Sequence, residues 1–179
     1  PTRRSSDLNE VEIIIVDGAS SDNSKEKINA LNLPPKVLKY FYEDCNSGVD
    51  RDFDKSVEYA SGEYCWLFSD DDLLMPNAIS SVINALITEP EFLIVNSSIH
   101  TKYFENTLKE KVLKLGGDRL YDCQGEQAFL DLGEYLSFIG AIVVKRDFWL
   151  TRHREVFHGS AFAHLGVLFQ SPLAMQIKF

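Results

Sequence analysis

Two short runs, 11–16 (VEIIIV) and 64–68 (YCWLF), lead straight into carboxylates, at Asp17 and at Ser69-Asp70-Asp71-Asp72. Runs this short and this apolar are strands covered on both faces, the pattern of a sheet with helices packed against it. Asp22 offers an N-cap for a helix over 24–31, and Pro34-Pro35 ends that element. A second strand is expected at 37–42 and a helix over 50–60, with Phe53, Val57 and Ala60 on one face. Pro76 suits the first turn of a further helix, whose apolar face is Ile79, Val82, Ile83, Leu86 and Ile87. Strands follow at 92–95 and 138–144, with helices at 126–135, 147–152 and 159–169. The charged stretch 103–122, with Gly116-Gly117 as a turn, reads as a hairpin or a surface excursion. Strands alternating with helices predict an α/β domain with a mostly parallel sheet.

The 179 residues suffice for one domain with a sizeable core. Residues 1–8 (PTRRSSDL) are polar and unpatterned. They are similar to the translation of a sequencing adapter, and are set aside as a non-native or disordered tail. Residues 9–179 are expected to form a single domain, which breaks off mid-pattern at Met175 to Phe179. No apolar run reaches the ~20 residues of a membrane-spanning helix, so any membrane association is expected to be peripheral. Cys45, Cys65 and Cys123 lie far apart and in no metal-ligand spacing, which suggests a reducing, cytoplasmic setting. The net charge of −9 disfavours nucleic acid as a partner.

In open α/β sheets, ligands bind at the carboxyl ends of the strands, where Asp17 and the aspartate triplet are expected to lie. A triplet of this kind repels itself unless it is neutralised. Its hard oxygens suit magnesium or manganese held by one or two carboxylates plus substrate phosphates. The competing explanation is that the aspartates cap the helix near Pro76 and that Asp17 serves only a turn.

Taken together, VEIIIVDGASSDNS and GVDRDFDKSVEYASGEYCWLFSDDDLLMPNAI resemble the family 2 glycosyltransferases, closely over residues 11–90 and more weakly beyond. The resemblance implies a GT-A (Rossmann-like) fold whose first strand, normally ahead of Val11, is missing. It divides the domain into a nucleotide-sugar-binding part (9–100) and an incomplete acceptor-side part (101–179). GAIVVKRDFW resembles the acceptor-side strand and helix. EVFHGSAFAHL is similar to the abequosyltransferase-like subgroup acting on bacterial surface polysaccharides.

What the resemblance implies for function is metal-dependent, inverting sugar transfer from a nucleoside-diphosphate sugar to a glycan or lipid-linked glycan. The expected setting is the cytoplasm or the inner face of the inner membrane. Asp17 matches the nucleobase contact; Ser20, Ser21 and Asp22 belong to the same turn. Asp50 and Arg51 fall in the loop approaching the nucleotide and sugar. Asp70 and Asp72 match the ends of the DxD metal motif, with Asp71 between them. Ser69 replaces a common acid, which leaves the metal-binding pair open. Glu155 and His164 are the candidate catalytic bases; a core histidine and a metal ligand are the other readings of His164. Lys145 and Arg146 are weaker candidates for phosphate.

Two other classes share part of this pattern. A phosphoacceptor receiver domain would use Asp17, Asp72, Ser97 and Lys145, although the SSDNS turn has no role there. A nucleotidyltransferase has a similar carboxylate layout but needs a Gly-rich phosphate loop. As a fragment, the chain is expected to be inactive and poorly stable alone.

Overall fold

The computed structural model describes residues 11–173 and 176–179. The 1–8 tail and Met175 lie outside the described residues. β1 (Ile13–Asp17) pairs in parallel with β2 (Leu38–Tyr42), with Ile13 opposite Leu38 and Asp17 opposite Tyr42. Parallel neighbours need a crossover, and it contains α1 (Ser24–Ala30). A second sheet has five strands in the order β3 (Tyr64–Trp66), β8 (Ile142–Lys145), β4 (Phe92–Ile94), β9 (Gln176–Lys178), β7 (Leu120–Asp122). β5 (Ile99–His100) and β6 (Thr107–Lys109) form a separate antiparallel hairpin.

The expected α/β class holds, but the strand directions are more mixed than predicted. β8 enters from a 3₁₀ turn at Ile139–Ala141 and runs antiparallel between β3 and β4. β3 and β4 therefore run in the same direction, as does β9, which is parallel to β4. β1 and β3, expected in one sheet, belong to different hydrogen-bonded sheets. Glu12 joins them. One of its oxygens accepts from Lys39, whereas the other accepts from the Ser61 hydroxyl and the Ser61 and Gly62 amides just ahead of β3.

The core forms where α2 (Val49–Tyr59), α4 (Gly125–Leu132), α5 (Arg146–Leu150) and α6 (Ala163–Phe169) meet the five-stranded sheet. It is built from Val57, Phe92, Ile94, Leu132, Ile142, Val144, Trp149, Leu168 and Ile177. Burying each large apolar side chain contributes about 1.5–3 kcal/mol. Burial on both faces holds for β4 and β8 but not for β1, where Ile13 is 44% exposed. α3 (Ala78–Ala85) starts two residues later than its proline suggests, behind Asn77 in the left-handed conformation (φ 64°). Cys65 packs against the core, and burial pushes its thiol up to about 11. Among the described residues no helix is long and apolar enough to cross a membrane.

Candidate functional site

Asp17 ends β1 with only 6% of its surface exposed. Its two oxygens are both occupied, one accepting from the Ser20 amide at 2.7 Å and the other from the Tyr40 hydroxyl at 2.6 Å. Burial alone would raise its pKa, but the Tyr40 and Ser20 hydrogen bonds outweigh it and hold the carboxyl below its ordinary value. The following turn is tight. Ala19 is left-handed (φ 63°), and a side chain on Gly18 would come within 2.7 Å of Asp52 on the first turn of α2. Asp22 is exposed and accepts from the Ser24 amide two residues on, a turn contact just ahead of α1, whose N-cap is Asn23 rather than the expected Asp22.

Ser69 gathers the second group. Its hydroxyl lies 2.6 Å from Asp71 Oδ1 and 2.7 Å from Asp72 Oδ2, and its single proton can serve only one of them at a time. The carboxylates drawn together are thus Asp71 and Asp72, whereas the motif pairs Asp70 with Asp72. Asp72 also packs on Gly140, where an added Cβ would sit 3.0 Å from Asp72 Oδ2. The Trp66 indole fixes that glycine by donating to its carbonyl at 2.9 Å. No hydrogen bond ties the aspartates to α3, whose N-cap is Asn77, so the helix-cap explanation fails. Among the described residues there is no preformed group of three metal-binding side chains. Two convergent carboxylates fit a magnesium or manganese ion that keeps waters and substrate phosphates as its other ligands.

α2 carries a further row of carboxylates. Asp50 Oδ2 accepts from the Gly159 and Ala161 amides at 2.8 and 3.2 Å, while Arg51 beside it is exposed. One turn on, buried Asp54 accepts from Trp149 Nε1 at 2.9 Å, from His158 at 3.1 Å and from Arg154; Arg154 also reaches Glu58 at 2.9 Å. His164 lies on α6, 4% exposed, with Nε2 donating to the Leu136 carbonyl at 2.8 Å. Burial lowers its pKa, opposed by the Leu136 hydrogen bond and the charge of Asp50. α2 thus meets the Gly18 turn through Asp52 and the 159–161 segment through Asp50, while His164 bonds to Leu136, four residues ahead of the Gly140 on which Asp72 packs.

The remaining predicted residues lie elsewhere. Glu155 is exposed on a 3₁₀ turn. Lys145 and Arg146 lie at the far end of β8. There Lys145 stands 3.5 Å from Glu63, and Arg146 donates to the Val57 and Glu58 carbonyls at the end of α2. That placement favours a structural role over phosphate binding. Sequence reasoning missed Tyr40, Asp52, Gly140 and the whole Asp54 network. The one visible signal was the i, i+4, i+8 acidic stripe of Asp50, Asp54 and Glu58. A cavity of about 570 Å³ opens near the start of α4 between Cys123, Glu126, Leu130 and Leu173, and no predicted site residue lines it.

A family model described as glycosyl transferase family 2 matches residues 3–146. The chain belongs to glycosyl transferase family 2. It is 27% identical over 158 residues to the abequosyltransferase RfbV of Salmonella typhimurium, covering 78% of this chain and 45% of that protein. It is also 31% identical over 78 residues to the GalNAc(5)-diNAcBac-PP-undecaprenol β-1,3-glucosyltransferase of Campylobacter jejuni, covering 43% and 25%. The structure of S. aureus TarS 1-349 in complex with UDP superposes with a TM-score of 0.70 at 13% identity, covering 96% of this chain and 48% of that one. This likeness shows the GT-A fold. The family 2 chain spans less than half the length of these proteins. Membership leaves the receiver-domain reading of Asp17, Asp72, Ser97 and Lys145 without support.

Proposed function

We propose that the chain carries the donor-binding part of an inverting transferase. It would move a hexosyl or deoxyhexosyl group from a nucleoside-diphosphate sugar to a glycan or lipid-linked glycan. The observation that carries this reading is the pair of ordered carboxylate groups after β1 and β3, in a family 2 chain. In this reading Asp17, held by Tyr40 and Ser20, binds the base of the nucleotide. Ser20 and Asp22 shape the same turn, and Asp50 with Arg51 lies along the approach to the sugar. Asp72, with Asp71 or Asp70, would hold a manganese or magnesium ion. When bound, that ion supplies Lewis-acid stabilisation of the departing diphosphate.

An acceptor hydroxyl must lose its proton to a group with a free lone pair. His164 donates through Nε2 to the Leu136 carbonyl, which leaves its lone pair on Nδ1, but the ring is buried out of reach of an acceptor, so we assign His164 to positioning α6. Glu155 is exposed with its lone pairs free, and it stays the candidate base on the family resemblance alone, since no contact brings it to Asp17 or Asp72. Calorimetric titration of the chain with UDP, with and without manganese, tests the donor site. Asp72→Asn should abolish the manganese-dependent binding and leave the melting curve intact. Asp17→Ala should weaken binding with or without metal. If Asp72→Asn binds UDP and manganese as the unmodified chain does, the assignment of Asp72 falls.

A further inference from the structure

The segment after β4 has a charge opposite to that of the chain around it. Between Ile99 and Lys114 stand four lysines (Lys102, Lys109, Lys111, Lys114) and two acids (Glu105, Glu110), in a protein of net charge −9. All four lysines are exposed. Among them the hairpin presents large apolar side chains to solvent, with Tyr103 73% and Leu108 67% exposed and Phe104 about half exposed.

The hairpin is built to hold these groups in place. At its base Asn96 exchanges two hydrogen bonds with the Leu113 backbone, and Val112 N–H donates to the Ser97 carbonyl. Val112, Leu113 and Leu115 pack on the core. At its tip Thr101 bonds to Asn106 and Phe104 to Thr101, and the Phe104 ring leans on His100.

Direction puts the hairpin and the aspartate triplet at the same end of the sheet, with β8 between the strands they follow. β3 and β4 both run antiparallel to β8, so the chain leaves both at the same end of the sheet. The aspartate triplet follows β3 there, and so do Leu73 and Met75, which are 66% and 61% exposed. One rim of the molecule thus combines lysines, aromatic rings and exposed aliphatic groups.

We propose that this rim, the 99–109 hairpin with Lys111, Lys114 and the Leu73–Met75 loop, docks on an anionic phospholipid surface. Lysine stems cover apolar surface while their ammonium groups meet phosphates, and tyrosine suits the headgroup level. Charge complementarity is local. It belongs to the hairpin segment, with four lysines against two glutamates; the Asp70–Asp72 carboxylates on the same rim oppose it until a cation neutralises them, and acids further off are screened beyond a Debye length of about 8–10 Å. Docking in this way turns the sheet end that carries Asp72 towards the bilayer, where a lipid-linked acceptor would be presented. In that respect the inference extends the transferase reading, but lipid binding itself requires no sugar transfer.

Co-sedimentation of the chain with vesicles tests it, comparing pure phosphatidylcholine with vesicles containing about 30% phosphatidylglycerol. Binding should favour the anionic vesicles and fall sharply between about 0.1 M and 1 M salt. Each lysine near such a surface is worth about fivefold in partitioning, so Lys102→Glu with Lys109→Glu should lower it at least about tenfold. The charge-matched pair Lys27→Glu with Lys36→Glu, outside the rim, should lower it far less. In a Tyr103→Trp variant, emission should shift to the blue on anionic vesicles more than it does in the unmodified chain. No preference for anionic vesicles, an equal loss in the two charge-matched pairs, or no such shift would each overturn the proposal. Failure of the unmodified chain to bind UDP would count against the transferase reading and leave the vesicle result standing.

Discussion

Asp54 is a carboxylate committed on both oxygens. It is buried, and its partners Trp149, Arg154 and His158 lie about a hundred residues further along the chain. Truncating one member of a buried, hydrogen-bonded charge group costs about 3–5 kcal/mol, because the partner charge stays buried without compensation. Asp54→Ala is therefore expected to lower the thermal midpoint markedly. Glu58→Ala removes only the exposed end of the same network and should cost under about 1 kcal/mol. Equal midpoints for the two variants would show that Asp54 carries no special share. This network also marks the limit of what the sequence discloses at residue scale. Asp17 and the triplet stood out because each interrupts an apolar run. Asp54 looks like any helix-surface acid until α2 is placed against the 149–161 segment.

At the scale of elements, Glu12 does the joining, with β2 on one side and the entry to β3 on the other. Its carboxyl is held at about 2 against an ordinary 4.5: burial would raise it, and the bonds from Lys39, Ser61 and Gly62 more than reverse that. A carboxyl lowered in this way contributes stability above its unfolded pKa, and the contribution is lost as pH falls from about 4.5 towards 2. His164 is lowered too, by burial. It adds stability above about 6.5, lost as acid begins to charge the unfolded chain more readily than the folded one. Thermal midpoints followed from neutral pH downwards should fall in both ranges. Glu12→Gln should flatten only the acidic part, and an unchanged acidic limb would disprove the link. The short apolar strands and the α2 periodicity were legible in the sequence, whereas α3 ends at Ala85 and leaves Ile87 of its expected apolar face 76% exposed. β7 and β9 were not legible, because each has three residues and turns only one of them, Tyr121 or Ile177, into the core.

For the whole molecule, the division into two sheets governs how the fold opens. The five-stranded sheet holds most of the buried core. β1, by contrast, has only β2 as a hydrogen-bonded neighbour among the described residues and leaves Ile13 exposed. Segments with few buried contacts open at lower free energy than the global transition. Amides of β1 and β2 should therefore exchange with deuterium well before those of β4 and β8. The proposed donor site spans this division, with Asp17 on the small sheet and Asp72 beside the large one. A ligand that binds only when the two are correctly placed stabilises that arrangement by RT ln(1 + [L]/Kd), about 2.7 kcal/mol at a hundredfold excess over Kd. UDP with manganese should then slow exchange in β1 and β2 by up to about a hundredfold and change β4 and β8 much less. Protection confined to the triplet loop, with β1 unaffected, would mean that the nucleotide does not bridge the two sheets, and Asp17 would lose its assigned role at the base.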